Sequence, residues 1–114
     1  MSRAIRVKIR VASYRRGGRL TAAKAQGLRA GSVILAPRSM MDWHSTRARE
    51  ELLIVLRGRL SVEVEPSMRR VRRVPLAAGR CAHLPSWTMH RVVNRGSTNA
   101  HYVYVTGASC QPPS

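Results

Sequence analysis

From Glu50 to Thr106 the chain is cut by Gly, Pro or Asn into short apolar runs, which leaves room for strands and little else. Glu50–Leu56 and Leu60–Glu65 flank Arg57-Gly58-Arg59, which reads as a tight hairpin. Pro66-Ser67 breaks the second run. Val71–Leu76 follows as an edge strand, because Pro75 has no N–H to give to a ladder. Ala78-Gly79 turns the chain into Arg80–Leu84, and Pro85-Ser86 separates that run from Met89–Val93. Asn94-Arg95-Gly96-Ser97 then leads to a last strand, Ala100–Thr106. Upstream, Gly31–Ala36 is a strand stopped by Pro37. Ile5, Val7, Ile9 and Val11 alternate with Arg6, Lys8 and Arg10, which predicts a first strand over 4–13 and then a turn at Arg16-Gly17-Gly18-Arg19. Thr21–Leu28 alone has helical character, with Thr21 able to cap it and Gly27 to end it. The expected fold is an all-β sandwich or barrel with at most one short N-terminal helix.

A chain of 114 residues bounds one domain with a modest core. It contains no Phe, so Val, Leu, Ile and Ala must fill the interior. The formal charge of +16 is concentrated at the start: residues 1–41 carry eight Arg and two Lys with no acid. Such a field attracts anions, whether small molecule, nucleic acid or lipid. Arginine spread over solvated strand faces accounts for most of it, so nucleic acid is the less favoured partner and a small, anionic ligand the favoured one. No apolar run approaches the roughly 18 residues of a membrane span. Residues 1–40 are as basic and acid-poor as a transit peptide, but their alternation is that of a strand. Cys81 and Cys110 are too few and too differently placed for a disulfide framework. A bacterial cytoplasmic protein with reduced thiols is expected.

Two segments carry chemistry. The first runs from His44 through Thr46, Glu50 and Glu51 to Gly58; the second is Gly79-x5-Pro85-x4-His90-x3-Asn94. Two imidazoles and a carboxylate suit a divalent metal with open coordination positions. These segments resemble the two signature motifs of the cupin superfamily, small jelly-roll β-barrels. The second motif matches at Gly79, Pro85, His90 and Asn94 with every spacing kept; Trp87 stands where the family usually has glycine. The first matches at His44, Glu51 and Gly58, with Glu51 rather than Glu50 at the required distance from Gly58. Thr46 replaces the family's second histidine, and Arg38 its leading glycine. The resemblance covers residues 31–106.

This resemblance implies a single cupin domain over 1–114: an N-terminal region 1–30, the conserved barrel 31–106 and a loose tail 107–114. It implies a metal (Fe, Mn, Ni or Zn) held by His44, Glu51 and His90, with Thr46 or an inward-turned His83 as the possible further ligand. The chemistry expected is dioxygenase-like, or of isomerase or lyase type; the alternative is a non-catalytic cupin that binds or senses a small ligand. A homodimer is expected, with strand 4–13 as its docking edge.

Strand parity adds to this. Val92 and Asn94 share the face of His90, and Leu53 and Val55 share that of Glu51, an apolar setting in which an unpaired carboxylate is costly. Glu50 faces the other way and is expected to pair with surface arginine. Trp43 and Trp87 either line a pocket mouth or plug the barrel end. In the last strand one of two sets faces inward, Tyr102 with Tyr104 or Val103 with Val105. Asp42 is the only aspartate and no nucleophile elbow is present, which argues against a Ser-His-Asp hydrolase.

Overall fold

A computed structural model describes residues 7–67 and 70–107 of the chain. Among the described residues nine strands follow one another: β1 Gly18–Arg19, β2 Arg29–Leu35, β3 Ser39–Ser45, β4 Glu51–Arg57, β5 Arg59–Ser67, β6 Arg70–Ala77, β7 Cys81–Leu84, β8 Met89–Asn94 and β9 Ala100–Thr106. They form two antiparallel sheets, ordered β1-β2-β9-β4-β7 (sheet A) and β3-β8-β5-β6 (sheet B). The inner faces meet in an aliphatic core of Leu35, Leu53, Val55, Leu60, Val62, Leu76, Leu84, Val92 and Ala100, completed by Tyr102. The alternation read from the sequence thus sorts residues between core and solvent, as a two-layer all-β fold requires. Val71–Leu76 lies within β6 at the open edge of sheet B, where Pro75 is tolerated.

Three parts of the sequence reading need correction. Residues 7–13 of the expected first strand are irregular, and 4–6 lie outside the described residues. Val7, Ile9 and Val11 are 77%, 83% and 90% exposed. An alternating run is only a candidate strand, and this one finds no ladder to join. Residues 21–28 form turns instead of a helix. Seven or eight residues ending at a glycine are too few to hold a helix without packing. The carbonyls of Ala25, Gln26 and Gly27 instead accept hydrogen bonds from Arg29 and Arg49. Finally, β3 was not expected. Ser39–Ser45 has no clean alternation because a bulge between Met41 and His44 shifts its register on β8. Among the described residues no helix is long and apolar enough to cross a membrane.

The motif positions have a backbone explanation. Gly58 and Gly79 have φ of 74° and 88°. Arg38 and Trp87, which occupy the two motif-glycine positions, also have positive φ, both at 58°. The turns demand left-handed backbone there, and this chain meets the demand with bulky residues at a cost of about 1 kcal/mol each. Gly58 has no such latitude: a Cβ would lie 2.6 Å from the Asn99 carbonyl oxygen and 3.1 Å from Ala100 Cα. Gly58→Ala is therefore expected to lose about 2 kcal/mol of stability, read as a lower urea midpoint at unchanged slope.

Candidate metal centre

Three strands bring the site together. His44 ends β3, Glu51 begins β4 and His90 lies early in β8; His44 and His90 are directly paired across the β3–β8 ladder. Their ring centroids are 4.2 Å apart. Glu51 projects from the facing sheet, and one donor atom from each of the three residues lies within 4.8 Å of the others. Atoms bound to one metal at about 2.0–2.2 Å stand at most about 4.4 Å apart, so a small contraction suffices. Glu51 and His90 are buried, while His44 sits at the exposed rim.

The hydrogen bonds select the tautomers. His90 Nδ1 lies 3.0 Å from the Thr88 carbonyl oxygen, and His44 Nδ1 lies 2.7 Å from that of Asp42. A carbonyl only accepts, so both Nδ1 atoms carry the proton and both Nε2 lone pairs are left for a metal. His90 Nε2 is 3.0 Å from Glu51 Oε2, and that buried oxygen has no hydrogen-bond partner. With neutral imidazole, two lone-pair atoms confront each other in an apolar setting. Only a cation between them, a proton or a metal, makes that approach favourable. The same geometry acts on the proton. Burial lowers the His90 pKa, but the hydrogen bond and charge of Glu51 and the Thr88 carbonyl outweigh it and hold it above the usual histidine range.

Thr46 braces the site. Its hydroxyl donates to the Pro85 carbonyl oxygen at 2.9 Å and accepts from the Thr88 amide at 3.0 Å. It thereby ties the β3–β4 loop to the turn that carries His90. His83 turns outward and lies 2.6 Å from Glu50 Oε1, both side chains being 58% exposed. That contact takes the place of the arginine expected beside Glu50. Asn94 shares the His90 face but lies at the far end of the strand. It donates to the Leu35 and Thr98 carbonyls and accepts from the Gly96 amide, closing the β8–β9 turn.

Neither tryptophan joins the cluster. Trp43 lies on the outer face with Arg91 Cζ 4.8 Å from its ring centroid. Trp87 is 69% exposed and borders a separate cleft of mixed character, with Val62, Val64 and Val74 beside Glu65, Arg72 and His83.

A cavity of about 400 Å³ opens on His44, Glu51 and His90. Tyr102 and Tyr104 supply its inner wall, and Arg29 and Arg47 also line it; the tyrosines, not Val103 and Val105, are the inward set. Burial, then Glu51 and Tyr104, hold the Tyr102 phenol above its ordinary range, so it is a neutral hydroxyl. Tyr104 packs against Gly31, where any Cβ would clash with its ring and hydroxyl. Sequence reading missed Met41, Arg29 and Arg47 as lining residues. Met41 lies in the unexpected strand, and the arginines are lost among nineteen in the chain.

Comparison with known proteins agrees with this architecture. The family model described as cupin domain matches residues 31–106. No protein of curated function matches. Among solved structures, a cupin 2 conserved barrel domain protein from Salinispora arenicola aligns with a TM-score of 0.68 at 19% identity, over 90% of each chain. The Cnp3 cupin domain of Schizosaccharomyces pombe gives 0.70 at 13% identity, over 82% of this chain and 64% of that one. Oxalate oxidase in complex with the substrate analogue glycolate gives 0.63 at 25% identity, over 76% and 44% respectively. The chain thus spans less than two thirds of the latter two. Motif spacing, the paired sheets and the family match agree, and the chain belongs to the cupin family.

Proposed function

We propose that this cupin binds a divalent transition metal through His44, Glu51 and His90 and presents it to a small anionic molecule. The observation that carries the proposal is the convergence of one donor atom each from His44, Glu51 and His90 within 4.8 Å of one another. Two imidazoles and one carboxylate suit Fe, Mn, Ni or Zn better than hard cations such as Mg. A metal so held keeps open positions and supplies Lewis-acid or redox chemistry. The chain's own residues do the rest. Asp42 and Thr88 hold the imidazole tautomers, Leu53 and Val92 exclude water, and Tyr102 offers a hydroxyl donor. Arg29 and Arg47 attract a carboxylate or similar anion. Likeness to oxalate oxidase, named for the oxidation of a small acid, supports oxidative chemistry on a small anion; isomerase or lyase chemistry suits the same site. A binding or sensing role is the second reading, favoured because the cavity is lined by no carboxylate or imidazole beyond the three ligands.

Elemental analysis after growth with several metals supplied tests the proposal. One metal per chain is expected, lost in both His44→Ala and His90→Ala. Metal-free protein under every supply, or metal retained in both variants, refutes it.

A further inference from the structure

On the outer face of sheet B a row of side chains crosses all four strands: Trp43 on β3, Arg91 on β8, Glu63 on β5 and Arg73 on β6. Glu63 is paired directly with Arg91 on one side and with Arg73 on the other. Although its strand position points away from the core, Glu63 has no exposed surface, because arginines cover it. Arg91 Nε and Nη2 reach Oε1 at 2.7 and 2.6 Å; Arg95 Nη2 and Arg73 Nε lie 2.6 and 3.2 Å from Oε2. One carboxylate thus fixes three guanidiniums and neutralises one. Each guanidinium has five N–H donors in a planar fork, and Glu63 engages at most two of any. Arg91, held by two contacts, is the most fixed of the three, while Arg73 and Arg95 keep 65% and 47% exposure and leave donors open to solvent. Among the described residues no other acid forms an ion pair with these arginines.

The excess extends around the barrel end. A cleft of about 590 Å³ is lined by Arg59, Arg80 and Arg95, and no acid borders it. Arg95 belongs to both features, so the row and the cleft adjoin at that residue and together hold five arginines and one carboxylate. Both lie apart from the cavity at His44, Glu51 and His90, with which they share no lining residue.

We infer that this surface is a second ligand site, one that binds phosphate groups. A single carboxylate ligand would satisfy one fork, whereas a chain of phosphates presents several tetrahedral anions to several forks at once. Holding the guanidiniums in advance lowers the entropy lost on binding. A free polyphosphate and a nucleic-acid backbone offer this same chemistry.

Calorimetric titration of chelator-treated protein with inorganic triphosphate, and separately with a single-stranded oligonucleotide, distinguishes the sources. Arg59→Ala/Arg80→Ala removes two cleft arginines without touching Glu63; Arg15→Ala/Arg16→Ala removes the same charge from an exposed turn. Triphosphate binding that weakens at least about tenfold in the cleft variant, and less than about twofold in the control, is expected. The same pattern with the oligonucleotide alone assigns the site to a nucleic-acid backbone. No binding of either probe, or binding that responds equally to both variants or to neither, overturns the inference.

Discussion

Glu51→Gln is expected to abolish tight metal binding and to leave the barrel folded. The amide has the shape of the carboxylate but no charge and a weaker donor oxygen. Its N–H₂ can donate to His90 Nε2, the very lone pair a metal needs, while His90 Nδ1 keeps its bond to the Thr88 carbonyl. The variant therefore loses one ligand and occupies a second. Removing an outer-shell partner alone typically costs 10–100-fold in metal affinity, so a loss beyond about 100-fold is expected here. Stability of the metal-free protein should change by no more than about 1 kcal/mol, because a neutral hydrogen bond from the amide to His90 replaces the contact of the carboxylate with that ring. Thermal unfolding with and without metal separates the two effects. At a hundredfold excess of metal over the wild-type Kd the wild type should gain about 2.7 kcal/mol and the variant no more than about 0.4. A variant still stabilised by metal to the same extent would remove Glu51 from the centre.

The sequence made the centre legible because its ligands lie in strands with regular parity. Glu51 is buried with Leu53 and Val55, and His90 with Val92 and Asn94, as period-2 alternation requires. Parity could not settle Tyr102 against Val103, since both sets are apolar enough for a core. Nor could it orient His83, whose outward contact with Glu50 depends on the register of β7 on β4, which sets His83 opposite Leu52. Where a bulge breaks the period, as in β3, the signal is lost altogether. The N-terminal errors have the opposite cause. Residues 7–13 have the right pattern, but a strand exists only with a neighbour, and pairing is a tertiary fact. For Trp43 and Trp87 the sequence leaves two places open, a pocket mouth or the plugged barrel end, and neither residue joins the metal cluster. Trp43 lies within the bulge between Met41 and His44, so parity alone does not place it.

Glu63→Gln should be the most destabilising single change on the outer surface of sheet B. It removes the one charge that offsets three guanidiniums and leaves Arg91, Arg73 and Arg95 facing a neutral amide. Breaking a fully buried pair costs about 3–5 kcal/mol. Arg73 and Arg95 keep 65% and 47% exposure and can regain water, so the low end, about 3 kcal/mol, is expected. Acid titration gives an independent signature. Burial pushes the Glu63 carboxyl up, but its contacts with Arg91 and Arg95 outweigh burial and hold it below the ordinary glutamate value. The folded pKa therefore lies below the unfolded one, near 4.3. The stabilisation is complete above the unfolded value and disappears as pH falls through the folded value. Urea midpoints measured from neutral pH downward should show the gap between wild type and variant closing only in that acid window. A gap constant with pH would mean that Glu63 contributes through shape rather than charge. Adding Arg95→Gln should recover part of the loss, because relief of repulsion among the remaining guanidiniums makes the two changes non-additive.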